Sequence, residues 1–158
     1  MTTANAIANS EIVVCEIEIS APPDAVFRAL TQPENLMRWW TDAVCKAEGW
    51  QFDPRPGKPW SARLRSETIS INGSDVFTPH GEILEADPPR LLVYTWNSNW
   101  DSEPGSATTV RWELTRTSTG TRVKLVHSGL SPKLSGDYRN GWPSVLSKLK
   151  KFVEERDS

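Results

Sequence analysis

Hydrophobic residues near the end of the chain recur with the period of an α-helix. In the segment 141–155, apolar side chains fall three or four positions apart, and lysines and Glu154 take the opposite face. This spacing predicts an amphipathic helix that begins near Gly141, has Pro143 in its first turn and buries its apolar stripe. The stripe consists of Trp142, Val145, Leu146, Leu149, Phe152 and Val153.

Most of the preceding chain alternates between apolar and polar residues with a period of two. Residues 11–20 form the first such segment, and Pro23 and Pro33 then begin two short helical patterns. Six further alternating segments follow, at 43–50, 60–69, 77–86, 90–96, 107–117 and 121–128. Strands at this spacing, joined by turns, predict an antiparallel meander with one apolar face. Only the last helix is long enough to cover that face, which predicts an α+β fold.

Composition and charge restrict the classes of protein. The chain has 158 residues, enough for one domain with a core, and a net charge of −2, which leaves no basic footprint for nucleic acid. We expect a flexible tail at 1–9 and a single domain at 10–158. No apolar run is long enough for a membrane span, and the N-terminus lacks a signal-peptide pattern. Two cysteines without motif spacing predict free thiols and a cytoplasmic protein.

Five segments together resemble one known family. They are "ISAPPDAVFRALTQPENLMRWW", "DPRPG", "GEILEADPPRLLVYTW", "VKLVHSGL" and "GWPSVLSKLKKFVE". In this order, over residues 11–155, they resemble the branch of the START-like (SRPBCC) superfamily that is related to the C-terminal domain of the activator of heat-shock-protein-90 ATPase. The resemblance implies a helix-grip fold. In this fold a bent antiparallel sheet, here of about six to seven strands, wraps the long last helix, and two short helices follow the first strand.

The resemblance also implies a cavity between sheet and helix, which in many relatives holds a lipid, sterol, polyketide or other apolar molecule. Alternation places Trp60, Trp96 and Trp112 on the concave face of the sheet. Trp142 would close one wall of the cavity, with the indoles of Trp96 and Trp112 opposite it and an aromatic guest stacked between. Two interpretations stay open, because the same tryptophans would also serve as a packed core. The predicted ligand-binding residues are Trp39, Trp60, His80, Trp96, Trp112, His127, Trp142 and Leu146.

Residues suited to catalysis or metal binding form no recognisable set. His127 is in phase with the inward residues of its strand, and His80 is expected at the cavity mouth, but two histidines at this separation do not match a metal site. "HSGLS" lacks the context of a nucleophile elbow. Glu82 and Glu85 fall on opposite faces of one strand, so one of them is expected inside, paired with Arg65 or Arg55. We predict no catalytic residue, no metal and no cofactor.

Three functions remain compatible with these observations. The favoured one is a cytoplasmic binding protein for an apolar or aromatic small molecule. The alternatives are a module that interacts with a chaperone or other protein, and an enzyme of the cyclase or hydrolase kind found in the same superfamily. The proline-rich loop at 53–59 is expected to form a mobile rim with fast-exchanging amides at Arg55, Gly57 and Lys58. The oligomeric state is not predicted.

Overall fold

A computed structural model describes residues 11–40, 45–66, 75–97 and 108–157, so the tail predicted at 1–9 lies outside the described residues. Three helices and eight strands are present in the described ranges. In chain order they are β1 (Glu11–Ile19), α1 (Pro23–Thr31), α2 (Pro33–Trp39), β2 (Cys45–Gln51), β3 (Pro59–Ser66), β4 (Val76–Phe77), β5 (His80–Asp87), β6 (Leu91–Trp96), β7 (Thr108–Arg116), β8 (Thr121–Leu130) and α3 (Pro132–Asp157).

The eight strands form one antiparallel sheet. Its order is β1-β8-β7-β6-β5-β3-β2, with β4 paired to β3 beside this path. The predicted α+β architecture is confirmed, and so are the two short helices after the first strand. The strand count exceeds the expected six to seven because Pro79, which has no backbone N–H, separates β4 from β5 within the segment predicted as one strand.

A β-bulge changes which side chains of β5 face inward. The pairing of β5 with β6 shifts register between Ile83 and Glu85. Ile83 is fully buried and the adjacent Leu84 is 43% exposed, as alternation requires, whereas Glu85, two positions after Ile83, would face inward without the bulge. Glu82 and Glu85 are both exposed, so the expectation of one internal glutamate is wrong. The extra residue of a bulge moves one side chain to the other face, and alternation alone does not reveal it.

The arginines proposed as partners for these glutamates pair elsewhere. Arg65 donates to Glu48 at 2.8 Å and to Asp75 at 3.0 Å. Arg55 donates to Asp53 at 2.6 Å. These pairs are on the surface, where an ion pair contributes about 0–1 kcal/mol to stability.

The last helix begins at Pro132 rather than near Gly141. The Oγ atom of Ser131 accepts the N–H of Leu134 at 3.3 Å, which satisfies one free amide of the first turn. Leu134 and Tyr138 are buried and extend the apolar stripe toward the N-terminus. Trp142 therefore lies within the helix, and Pro143 is an interior proline, not a first-turn residue.

The proline-rich loop before β3 is held against β5. The N–H of Gly57 donates to the carbonyl of Ile83 at 2.8 Å, and the N–H of Ile83 donates to the carbonyl of Lys58 at 2.9 Å. The segment contains a turn at 55–57, as the prolines predict. The fast exchange expected for the Gly57 amide is not supported, because this amide is hydrogen-bonded.

Helix α3 also lies along β1, at the edge of the sheet. The Nζ atom of Lys150 donates to the carbonyl of Glu18 at 2.7 Å. The N–H of Ser20 donates to the carboxylate of Glu154 at 2.8 Å. Two polar contacts thus fix the C-terminal half of α3 against the end of β1.

Candidate functional site: an aromatic cluster between sheet and helix

Among the described residues, eleven aromatic and imidazole rings meet between the sheet and the helices, and we call them the aromatic cluster. Neighbouring ring centroids lie between 4.5 and 6.4 Å apart. The members come from α2, β2, β3, β6, β7, β8 and α3 and from the loop after β2. They are Trp39, Trp40, Trp50, Phe52, Trp60, Tyr94, Trp96, Trp112, His127, Tyr138 and Trp142.

The inward orientation predicted from strand alternation is observed. Trp60, Trp96 and Trp112 are each at most 2% exposed, and Trp142 reaches them from α3. The centroid of Trp142 lies 5.8 Å from that of Trp96 and 5.9 Å from that of Trp112, with the rings edge-on. The predicted arrangement, with a guest stacked between Trp142 and these two indoles, is wrong, because the rings contact one another directly.

A chain of hydrogen bonds through His127 of β8 connects α3 to β7 and β6. The Nε1–H of Trp142 donates to Nδ1 of His127 at 3.0 Å. The Oγ1 of Thr108 lies 2.7 Å from Nε2 of the same ring and donates its proton to the carbonyl of Trp96 at 3.1 Å. Since that hydroxyl has one proton, it accepts from Nε2–H, and His127 is the neutral Nε2–H tautomer.

The charge state of His127 agrees with this arrangement. Burial lowers the pKa of its imidazole from 6.5 to about 3, because the charged form is costly away from water. Both ring nitrogens are engaged within the protein, so neither is available to a metal ion or a substrate. His127, predicted as a ligand-binding residue, instead orients the indole of Trp142.

Two buried tyrosines accept from the indoles of the strands. The Nε1–H of Trp112 donates to Oη of Tyr94 at 2.9 Å, and that of Trp96 donates to Oη of Tyr138 at 3.0 Å. Burial raises the pKa of Tyr94 above its ordinary value, so this phenol stays neutral. Tyr94 lies two positions before Trp96, so alternation along β6 turns both side chains to the same face, whereas Tyr138 precedes the region predicted as helix.

The adjacent residues Trp39 and Trp40 take different positions. Trp39 is buried between α1 and α2, and its Nε1–H donates to the carbonyl of Ala29 at 2.8 Å. Trp40 is partly exposed and contacts the rings of Trp39, Trp50, Trp96 and Trp142, with centroids 5.1 to 6.1 Å apart. The predicted set contained Trp39, but Trp40 is the member that joins the cluster to the surface.

Trp50 is a buried tryptophan that is absent from the predicted ligand-binding residues. It is 8% exposed and its Nε1 has no hydrogen-bond partner among the described residues. A buried donor without an acceptor costs about 1–3 kcal/mol. Its alternating position in the strand indicates that it points inward, but only the structure shows the missing acceptor.

Two predicted site residues are separate from the ring contacts. His80 is exposed, and its Nδ1 lies 3.1 Å from the carbonyl of Thr78. It pairs with Ser61 across the β3–β5 ladder and so faces away from Trp60 and Gly81, which form the next pair. The expected position of His80 at the mouth of the interior is therefore wrong. Leu146 is buried in the stripe of α3, as predicted.

Buried polar groups around the cluster are hydroxyls and one neutral imidazole. In the described ranges, the buried polar side chains are Thr31, Ser66, Thr108, Thr121, His127 and Ser135. No three of the histidine, cysteine and acidic side chains in these ranges lie close enough to hold a metal ion. The chemistry that this interior offers is contact with aromatic faces and a few neutral hydrogen bonds.

A pocket of about 420 Å³, separate from the aromatic cluster, lies at the surface between α1, α2 and the end of α3. Arg28, Arg38 and Arg156 line it. Arg28 pairs with Asp24 at 3.1 Å, and the guanidinium of Arg156 lies 5.1 Å from the ring centroid of Phe152. This pocket is polar and does not share residues with the aromatic cluster.

The family model described as "Activator of Hsp90 ATPase homolog 1-like protein" matches residues 20–154. The chain belongs to this family. This agrees with the resemblance inferred from the sequence, because the family lies within the START-like superfamily. No curated protein matches the sequence.

Solved structures share the fold of this member of the Hsp90-activator-like family. A crystal structure of a protein from Mesorhizobium loti is 30% identical, with a TM-score of 0.73, and the match covers 94% of this chain and 100% of that one. The AHSA1 protein from Silicibacter pomeroyi is 22% identical with a TM-score of 0.77, covering 92% and 99%. An AHSA1-like protein from Aeromonas hydrophila is 18% identical with a TM-score of 0.75, covering 92% and 94%.

Within the described ranges, none of the helices combines the length and the apolar character needed to cross a bilayer.

Proposed function

We propose that this protein binds a small apolar or aromatic molecule against the aromatic cluster. The observation that carries the proposal is the position of Trp40. Six of the seven described tryptophans are buried, whereas Trp40 is partly exposed and contacts four of the others. Trp40 thus presents an aromatic surface that is continuous with the interior.

The contacts of the cluster restrict where a ligand binds. The ring of Trp142 touches those of Trp96 and Trp112, which leaves no space for a guest between them, so the ligand contacts Trp40 or displaces its ring. Mostly apolar walls with few polar groups are typical of small-molecule sites. The proposal assigns no reaction, because the one buried histidine has both ring nitrogens occupied. A cytoplasmic location fits the free thiol of Cys15.

A matched pair of variants tests the role of Trp40. Trp40→Leu keeps apolar bulk but removes ring stacking, which contributes about 0.5–1.5 kcal/mol for an aromatic pair. We expect affinity for small aromatic ligands to fall roughly two- to tenfold, measured by saturable changes in indole NMR signals. Phe27→Leu removes a buried ring of α1 that is not part of the aromatic cluster, and it is expected to lower the free energy of unfolding and leave affinity unchanged.

Two outcomes would contradict this proposal. One is the absence of saturable binding to the wild-type protein for an aromatic and acyl ligand series. The other is saturable binding that Trp40→Leu leaves unchanged. In the first case, the family name directs attention to the alternative, a protein-interaction module. Native mass spectrometry of protein purified from its own host would identify a co-purifying molecule.

A further inference from the structure

Among the described tryptophans of the aromatic cluster that are buried, every indole N–H but one has an acceptor. Six tryptophans in the described residues are buried. Five of them donate to a carbonyl, a phenol or an imidazole within the protein, and Trp50 does not. The five are Trp39, Trp60, Trp96, Trp112 and Trp142.

The orphan donor lies at the side of the cluster where we propose that the ligand binds. Trp50 belongs to β2 and pairs with Ala62 of β3. Its ring stacks on Trp60, with centroids 6.0 Å apart and an interplanar angle of 16°. The ring of Trp40, the partly exposed member, also contacts it, with centroids 5.1 Å apart.

The chemistry of the indole defines the group that would satisfy it. An indole N–H donates and never accepts, so its partner has to be an acceptor. A neutral acceptor suits this position, because a buried carboxylate is costly without a cation, the ring contacts of Trp50 are with the uncharged Trp40 and Trp60, and Arg63 of the neighbouring strand already pairs with Glu48. A carbonyl or ether oxygen on a flat molecule meets both conditions, since the molecule stacks on the rings and the oxygen accepts the proton.

We propose that the indole N–H of Trp50 is the polar anchor of the ligand site and that the natural ligand is a mostly apolar, planar molecule with a neutral carbonyl-type acceptor. This inference rests on the proposed ligand-binding function and adds the chemical class of the ligand. The cluster supplies the apolar contacts, and the one unpaired donor gives the ligand a fixed orientation.

Two molecules that differ in one acceptor test the inference. Indane and 1-indanone have nearly the same shape, and only 1-indanone carries a carbonyl. For the wild-type protein we expect 1-indanone to bind roughly three- to tenfold more tightly, the usual range for one net hydrogen bond. The indole N–H signal of Trp50, one of eight in the protein, should move downfield with 1-indanone and not with indane.

Trp50→Phe and Trp39→Phe form the matched variants. Trp50→Phe keeps a ring at this position and should bind both ligands with the affinity that the wild type has for indane. Trp39→Phe removes an N–H that is already bonded to Ala29 and should keep the preference for the ketone. If Trp50→Phe does not fold, the wild-type ligand pair and the shift of the Trp50 signal decide the question.

The outcomes separate this inference from the function on which it rests. Equal affinity of the wild type for the two ligands, or a ketone preference that survives in Trp50→Phe, would overturn the role of Trp50 and leave ligand binding intact. Absence of binding of either molecule to the wild type would overturn the proposed function and, with it, the anchor.

Discussion

The buried groups around His127 admit one arrangement of protons. The hydroxyl of Thr108 gives its proton to the carbonyl of Trp96, and the imidazole gives its own to that hydroxyl. A second proton on His127 would occupy Nδ1, which is the acceptor for the indole of Trp142. Protonation would therefore break the contact between β8 and α3, in addition to placing a charge in an apolar interior.

The stability of the protein should therefore depend on pH through His127. Its pKa is about 3 in the folded state and 6.5 when unfolded, so below pH 6.5 the unfolded chain binds the proton preferentially. The free energy of unfolding should fall with a slope that approaches about 1.4 kcal/mol per pH unit, which gives about 1.6 kcal/mol between pH 6.5 and pH 5. Urea unfolding of the wild type and of His127→Gln across this range measures the effect.

The two histidines of the chain provide the control for this measurement. His127→Gln should be less stable at pH 7 but lose less stability between pH 6.5 and pH 5. His80→Gln should follow the wild type at every pH, because His80 is exposed. Parallel loss of stability in wild type and His127→Gln would show that the imidazole is not buried in its neutral form.

At the scale of single residues, alternation was sufficient to orient side chains but not to pair their polar atoms. The inward directions of Trp60, Trp96, Trp112 and His127 follow from position along a strand. Whether a donor finds an acceptor depends on residues far away in sequence, and a sequence pattern carries no such distance. The unpaired N–H of Trp50 is for this reason visible only in the structure.

At the scale of elements, the sequence pattern predicted which segments form strands, but along β5 it did not predict which side chains face inward. A pattern of period two identified the segments that form the sheet, including β5. Pro79 interrupted the strand without changing its phase, whereas the bulge after Ile83 turned Glu85 outward although it is two positions from the buried Ile83. The early start of α3 was missed because Gly136 and Pro143 lower local helix propensity, whereas burial of Leu134 and Tyr138 stabilises that turn.

The junction of β5 with β6 leaves no room for a side chain at Gly81. A Cβ atom built there would collide with the backbone carbonyl oxygen of Thr95, which also accepts the N–H of Trp60 at 2.9 Å. We expect Gly81→Ala to lower the free energy of unfolding by about 1–3 kcal/mol, as overpacking usually does. Chemical denaturation measures the change.

Gly49, in β2, is the matched control for this substitution. A Cβ atom at Gly49 meets no atom within 4 Å, so Gly49→Ala should change stability by less than about 0.5 kcal/mol. Equal effects of the two substitutions would indicate that the close approach of β5 to Thr95 is absent in solution.

At the scale of the whole molecule, α3 is the element that closes the interior. Its residues Trp142, Leu146, Leu149 and Val153 are buried, and Trp142 also completes the hydrogen bonds of His127. Four such side chains contribute about 6–12 kcal/mol if they are fully buried. The total stability of a domain is of the same order, about 5–15 kcal/mol.

Removal of most of α3 should therefore abolish folding. A chain that ends after Tyr138 loses the four buried residues and exposes the indoles of the sheet, so we expect an unfolded or aggregated product by circular dichroism and gel filtration. A chain that ends after Arg156 keeps every one of these contacts and should fold normally. Cooperative thermal unfolding of the shorter chain would refute the closing role of α3.

The order of the sheet has a consequence for how the protein is made. The first strand, β1, has β8 as its neighbour, and the ion pair between Glu18 and Arg122 joins residues 104 positions apart. At 5–20 residues per second, a ribosome takes about 5–20 s to synthesise the intervening chain. During that time β8, the strand that pairs with β1 in the folded protein, has not yet been made. Pairing of β1 therefore waits until β8 has been synthesised, and closure of such a distant pairing is expected to be slow.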